Sequence, residues 1–439
     1  MSASPRSRPW SRGSVGRVTI AANPHAPSRL DARSTDAFAS LRVSGYPFLL
    51  LAGWFWNICR WGCGFLGAYI ANKQSGSARL VQLSGVVLWA PLLLGGGVVG
   101  GMVSDRFDRR RTVIAQFLVV IPLAALLGLA GTTGSAKTGN LRLWMVYGFL
   151  VVVGIGWLID MTSRRAIIYD LVGQERLQNA MALEAISSAS GLALGSLVGG
   201  TAVQAVGVGA AFYFIAGLLG IALGCFLLVP RVARGVPGST EAPMQALRAG
   251  FRLIHTERRL VSVLGITATV NFFAFSFTPL VQVVGSDFDV GPFLIGLLAS
   301  MTGFGMMFGS MFVARTHPHR RGRLYVIGAA TSMLVLVGFA GSPWYLGAIA
   351  ALLVSASGMG LFSSTQSTLV MTSVAPELRG RALGLLSTAI GVLPIGMIAL
   401  GELAQRVGAR WAIGASVITG LGVLGLWLGR RPEVLQLTA

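Results

Sequence analysis

The chain is 439 residues long, 54% hydrophobic and only 11% charged, with a net charge of +20. A soluble protein carries about 25% charged residues, so this composition points to lipid as the solvent for most of the chain. The basic excess does not signal a nucleic-acid partner, because the arginines fall in short clusters between apolar runs and not on one soluble face.

Residues 1–42 are rich in Arg, Ser and Pro, with Arg6, Arg8, Arg12, Arg17, Arg29 and Arg33 spread along them. No apolar run of signal-peptide type precedes residue 46, and a disordered cytosolic tail is expected. Twelve apolar segments follow, at 46–71, 80–103, 112–131, 143–163, 179–203, 208–229, 260–284, 291–314, 324–341, 344–372, 382–404 and 411–429. Each is near the ~20 residues that cross a hydrocarbon layer as a helix, the economical way to pair backbone groups in lipid. The longest connection, 230–259, contains Pro230, Pro237, Gly238 and Pro243 and splits the segments six and six. The expected fold is therefore all-α: twelve transmembrane helices in two pseudo-symmetric six-helix bundles. These are 43–229 and 260–429, with a cytosolic linker at 230–259 and a cytosolic tail at 430–439. Val172, Glu175 and Ala180 also line up at constant offset with Val374, Glu377 and Ala382, at equivalent places in the two halves, which supports an internal repeat.

Loop charge sets the orientation. Arg106, Arg109, Arg110, Arg111, Arg164, Arg165, Arg176, Arg231, Arg234, Arg315, Arg320, Arg321, Arg323, Arg379, Arg381, Arg430 and Arg431 fall on one side, against Lys73, Arg79, Lys137, Arg142, Arg406 and Arg410 on the other. The positive-inside bias places both termini in the cytosol of a multi-pass protein of the cell (inner) membrane. Trp144, Trp344 and Trp411 then fall at the outer interface. Cys59, Cys63 and Cys225 lie inside apolar runs and are read as small buried side chains; they are too few to hold a metal.

The connection between segments two and three reads Gly101-Met-Val-Ser-Asp105-Arg106-Phe-Asp108-Arg109-Arg110-Arg111. Together with twelve segments in two related halves, it resembles the loop motif of the major facilitator superfamily, and the likeness covers nearly everything after residue 42. The family usually has glycine where this chain has Asp108. That variant, the Arg164-Arg165-Ala stretch and the Glu377-Leu-Arg-Gly-Arg stretch resemble a bacterial exporter branch that includes siderophore and drug efflux proteins. Gly191, Gly195, Gly199 and Gly200 match the family's antiporter motif, with Ser196 in place of its proline. Physically the stripe lets two helices approach closely, and without proline the expected kink is lost. An arginine deep in helix four, another mark of drug–proton antiporters, is absent; Arg142 sits at that helix's outer end. The resemblance implies alternating access. Asp105 would cap the start of helix eleven near Ala382, and Arg109 would pair with Asp160 at the cytosolic end of helix four.

Ionisable residues inside spans are costly and are functional candidates. Here they are Arg60, Asp160, Glu184 and Glu402. Arg60, with Asn57 one turn before it, is the first choice for substrate contact, since helices one, four, seven and ten line the cavity in the resembling family. Glu184 is the proton-coupling candidate, either free to titrate or held in an ion pair with Arg60. Glu402, near the outer end of helix eleven, is read as interfacial. Asn271 and Gln366 could offer hydrogen bonds to a substrate or serve helix contacts. The expected function is export of small amphipathic, drug- or siderophore-like molecules by proton antiport. An uptake symporter or facilitator, and a non-transporting sensor or assembly factor, are the alternatives. No enzymatic constellation, metal site or cofactor is expected. The expected partners are a small-molecule substrate, protons and the lipid bilayer, with no nucleic acid and with the chain a monomer.

Overall fold

The computed structural model describes residues 38–95, 108–133, 140–231, 257–316, 320–375 and 378–437. Gly101, Asp105, Arg106 and Glu377, most of the linker and most of the N-terminal tail lie outside the described residues.

The first helices are α1 (Tyr46–Ser75), α2 (Ala78–Gly95) and α3 (Arg109–Thr132). The next, α4, starts as Leu143–Ile159 and passes through one π-helical turn, Asp160–Arg164, into the helical stretch Arg165–Leu227. That stretch is broken at Gly173 (φ 71°, ψ 175°) and Gly207 (φ 82°, ψ 171°). Glycine is the residue that takes such backbone angles without a Cβ penalty. The two breaks end α4 at 172 and define α5 (174–206) and α6 (208–227). The second half contains α7 (Arg258–Phe273, continued by a 3-10 turn Phe275–Leu280 into Val281–Ser286), α8 (Pro292–Thr316), α9 (Arg321–Gly341) and α10 (Tyr345–Thr372). It ends with α11 (Arg379–Ile390 and Leu393–Val407) and α12 (Ala409–Arg430). The apolar segments thus correspond to twelve helices. The largest boundary correction is between segments four and five, where the expected connection at 164–178 is helical except at Gly173.

Two large apolar cores form, one running from Tyr46 to Val229 and the other from Leu260 to Leu437, with Ala78 and Ile295 as the residues that join the opposite core. Side chains facing outward from these cores are large and apolar; Leu118, Leu126, Leu334 and Leu426 are all exposed, as a lipid-facing surface requires. Trp144, Trp344 and Trp411 stand exposed at 71%, 75% and 79%, near the helix ends at one face. We call that face the far face; the face that carries residues 38 and 437 is the terminal face.

The glycine stripe of α5 is a packing device. A Cβ at Gly191 would overlap Asn57, one at Gly195 would overlap Trp61, and one at Gly199 would overlap Phe65, all on α1. On the adjoining surface Gly200 meets Gly296 of α8, bringing the halves to backbone distance. Further polar ties join the halves at the far face. Asn72 donates to Ser286 Oγ at 2.8 Å, Ser77 to Gln405 at 2.7 Å, and Arg79 pairs with Glu402 at 2.8 Å. One turn deeper, Gln82 donates to the Ser276 carbonyl at 2.9 Å. The far side of the molecule is therefore closed.

Candidate transport site

The N-terminal half buries a charged cluster. Arg164, 3% exposed, sits at the end of the π turn of α4. Its Nε donates to Asp160 Oδ1 at 2.5 Å and its Nη2 to Oδ2 at 3.1 Å. On its other edge Nη1 donates to Glu184 Oε2 at 2.7 Å, and Nη2 also meets Glu184 Oε1. One guanidinium thus bridges two carboxylates in a bidentate fashion, the geometry that best offsets the desolvation of three buried charges. The turn at Gly173 makes this possible by folding α5 back so that Glu184 returns to the level of Arg164. Gly53 of α1 supplies the space, since a Cβ there would fall 2.6 Å from the guanidinium carbon of Arg164.

Arg60 lies deeper on α1 and is 2% exposed. Its guanidinium carbon lies 4.1 Å from the ring centre of Trp61 and 4.2 Å from that of Trp157, a double cation–π contact. Its Nε and Nη1 are buried without a hydrogen-bond partner. Asp160 acts on it electrostatically but gives both oxygens to Arg164. Trp89 of α2 packs edge-on against Trp157, with ring centres 4.6 Å apart. Trp61 and Trp89 also line a small cavity of about 60 Å³ at the junction of the halves, whose opposite wall includes Pro279, Gln282, Thr302 and Met397.

Among the described residues, the C-terminal half is polar without buried charge at the matching depth. Thr267 of α7 is its centre. Its hydroxyl lies 2.8 Å from the Tyr325 hydroxyl and receives a hydrogen bond from Gln366 Nε2 at 3.0 Å. Asn271 Nδ2 donates to the Thr267 carbonyl at 2.9 Å. Asn271 and Gln366 are therefore brought together through Thr267, in a relay that satisfies each of them within the protein. Asn57 likewise donates back to the Gly53 carbonyl, at 3.0 Å.

Several expectations need correction. Arg109 pairs with Asp170, at 2.7 Å, and not with Asp160. The reason is helix length. Because α4 continues to 172, Asp170 stands at the level where α3 begins, whereas Asp160 lies about 15 Å further along the helix at 1.5 Å per residue. The partner of Glu184 is Arg164 and not Arg60. Sequence reading placed Arg164 in a loop as an orientation marker; the i,i+4 spacing of Asp160 and Arg164 was the signal that it belonged to a buried pair. Asp108, the departure from the family's glycine, is the N-cap of α3: its Oδ1 accepts from the Arg111 N–H at 2.9 Å. Arg110 secures the end of α6 by donating to the carbonyls of Leu227, at 2.9 Å, and Val229. Glu402 forms a half-exposed pair with Arg79.

Long apolar helices in two packed sets, with lipid-facing flanks and buried polar centres, define a multi-pass helical membrane protein. The profile of the Major Facilitator Superfamily matches residues 49–394, and the chain belongs to that family. Among curated relatives, the enterobactin exporter EntS of Shigella flexneri is 24% identical over 371 residues, covering 82% of each chain. The protein of the same name from Salmonella typhimurium is 24% identical over 373 residues with the same coverage. Solved structures share the fold. A bacterial homologue of the human lysosomal transporter Spinster, inward-facing and unoccupied, superposes with a TM-score of 0.70 at 15% identity, covering 92% of this chain and 98% of its own. The nucleoside transporter NupG does so at 0.65 and 13%, covering 88% and 98%.

Proposed function

We propose that this chain is a secondary active exporter of small amphipathic organic molecules, drug- or siderophore-like, that works by alternating access and proton antiport. The observation that carries the reading is the buried Arg60, Asp160, Arg164 and Glu184 cluster. Four ionisable groups in the interior of a membrane helix bundle are expensive unless transport uses them. Distant likeness to enterobactin exporters over four-fifths of the chain supports export of an organic molecule of that general kind. In this reading residues 43–229 and 260–429 rock as two bundles joined by the 230–259 linker. The far face is extracytoplasmic, both termini are cytosolic, and the chain acts as a monomer in the cell membrane without enzymatic activity. Closure at the far face corresponds to a state open toward the cytosol.

Glu184 is the proposed proton carrier. Protonating it removes one of the two charges that hold Arg164, so the π turn of α4 loses one anchor on α5. Gly101, Asp105, Arg106 and Arg109 act as the cytosolic latch between the halves. The test is transport in inside-out vesicles with an imposed pH gradient, screened across siderophores and antibiotics with proton flux read in parallel. Substrate movement against its gradient, with protons flowing the opposite way, is expected. Glu184→Gln should retain substrate binding and lose the pH-driven component. Accumulation that follows the proton flux in the same direction would replace export with symport uptake.

A further inference from the structure

We propose that Arg60 and the Trp61, Trp89 and Trp157 indoles form the anchor of a substrate subsite for planar aromatic acids, so that the preferred cargo carries a carboxylate or an equally acidic oxygen on a flat ring. The inference rests on the exporter reading for the word substrate, but its chemistry stands on geometry alone.

A guanidinium that is 2% exposed ordinarily has an acid of its own. Both acids of this cluster are consumed by Arg164, each through two oxygens. Arg60 therefore keeps its charge in the interior through aromatic contact and the nearby Asp160 charge, with its Nε and Nη1 donors unsatisfied. Indole faces stabilise a cation without neutralising it or satisfying its N–H groups. What completes such a site is an anion whose oxygens accept from those N–H groups, since a guanidinium carries donors and no acceptor.

The surroundings choose the rest of the ligand. Trp61, Trp89 and Trp157 are all half-buried rather than sealed, and Trp61 and Trp89 form part of the wall of the cavity between the halves. Phe65, Leu88, Pro279 and Met397 extend that wall with apolar surface. Three indoles within 6.4 Å centre-to-centre steps offer flat faces and edges for a ring to stack on. The Trp61 Nε1–H is itself without a partner and supplies a second donor near the ring. Anion, flat ring and moderate size follow together. A cationic amphiphile is disfavoured by repulsion from the Arg60 guanidinium, whose donors no acid accepts.

The experiment compares an acid with its neutral isostere on the purified full chain in lipid nanodiscs. 2-Naphthoate and 2-naphthamide are titrated by calorimetry, with empty nanodiscs measuring partition into lipid. The expected result is at least tenfold tighter binding of the acid. Arg60→Gln should abolish that preference and leave the amide unchanged, Arg60→Lys should weaken the acid about tenfold by losing the separate Nε and Nη1 donors and the flat stack on indole, and Trp157→Leu should weaken both ligands. Equal affinity of the wild type for acid and amide overturns the proposal, and this comparison needs no variant to fold. An unchanged acid preference in Arg60→Gln overturns it as well. Acid-selective binding without export or counterflow of protons would sink the exporter reading and leave the subsite standing. Export that is indifferent to substrate charge would do the reverse.

Discussion

The two halves share a fold and differ in how they handle buried polarity. In the N-terminal half, α1, α4 and α5 converge on four ionisable side chains, of which one cation, Arg60, has no hydrogen-bonded acid. In the C-terminal half, α7, α9 and α10 converge on Thr267, Tyr325, Asn271 and Gln366, which are neutral and mutually satisfied. A neutral relay fixes helices at modest cost and does not depend on pH or on membrane voltage. A charged cluster responds to both. In the proposed exporter, the second half is the frame and the first the element that responds to protons and cargo.

The comparison can be broken most directly at Arg164. Replacing it with alanine leaves Asp160 and Glu184 buried without the guanidinium that binds them both, a change worth about 3–5 kcal/mol in buried ion pairs. Thermal unfolding in detergent should show a large drop, together with loss of transport. The triple change Asp160→Asn, Arg164→Gln, Glu184→Gln should recover most of the stability without recovering pH-driven transport. Equal instability of the triple variant would mean that the cluster is a structural pin and not a sensor.

The matching change in the frame is Thr267→Val. It keeps the shape and removes the shared hydroxyl, leaving Gln366 Nε2 short of its acceptor while Tyr325 keeps the Val263 carbonyl, for about 1–3 kcal/mol. Transport should fall only as far as folded protein falls, with no change in its pH profile. A shifted profile in this variant would erase the distinction between halves.

A charge in the first half that is not buried should matter less, if burial rather than location makes the difference. Asp108 is exposed and caps α3, so Asp108→Ala should cost about 1 kcal/mol, the usual worth of an N-cap. Asp108→Ser should restore it, read by the same unfolding assay.

How much of this was legible follows from what sequence encodes locally. Twelve helices, the glycine stripe, the interfacial tryptophans and the burial of Arg60, Asp160 and Glu184 are set by composition and period along the chain. Pairing was not legible. Arg109 lies about equally far in sequence from Asp160 and Asp170, and only the true end of α4 decides between them. Arg164 was hidden because Met161, Thr162 and Ser163, the three residues between Asp160 and Arg164 in the π turn, look like the end of a span. The Asp160–Arg164 spacing was visible, but Glu184 joins them only through the backbone reversal at Gly173. Asn271 and Gln366 were recognised as inward polar groups, yet the hydroxyl that unites them belongs to Thr267, which nothing in the pattern distinguished from its neighbours.

The smallest expected effect tests what couples the halves. Arg79 and Glu402 pair across the far face with 57% and 40% of their side chains exposed, so removing the pair should change stability by about 0–1 kcal/mol. Arg79→Ala is therefore nearly silent in unfolding. The pair links α2 to α11, so it can form only while the far ends are together. The same energy then acts wholly on the balance between far-closed and far-open states, where 1 kcal/mol is a factor of about five in population. Labelling of a cysteine introduced at Ser77, a residue that also bonds across this face to Gln405, should accelerate by up to that factor in Arg79→Ala. Raising the salt from about 0.01 to 1 M shortens the screening length from about 30 to 3 Å, and should speed labelling of the Arg79 parent toward the variant's rate. Identical labelling of both proteins at low salt would show that Gly200 against Gly296 and the neutral bonds of Asn72 and Gln82 hold the far face closed without help from charge.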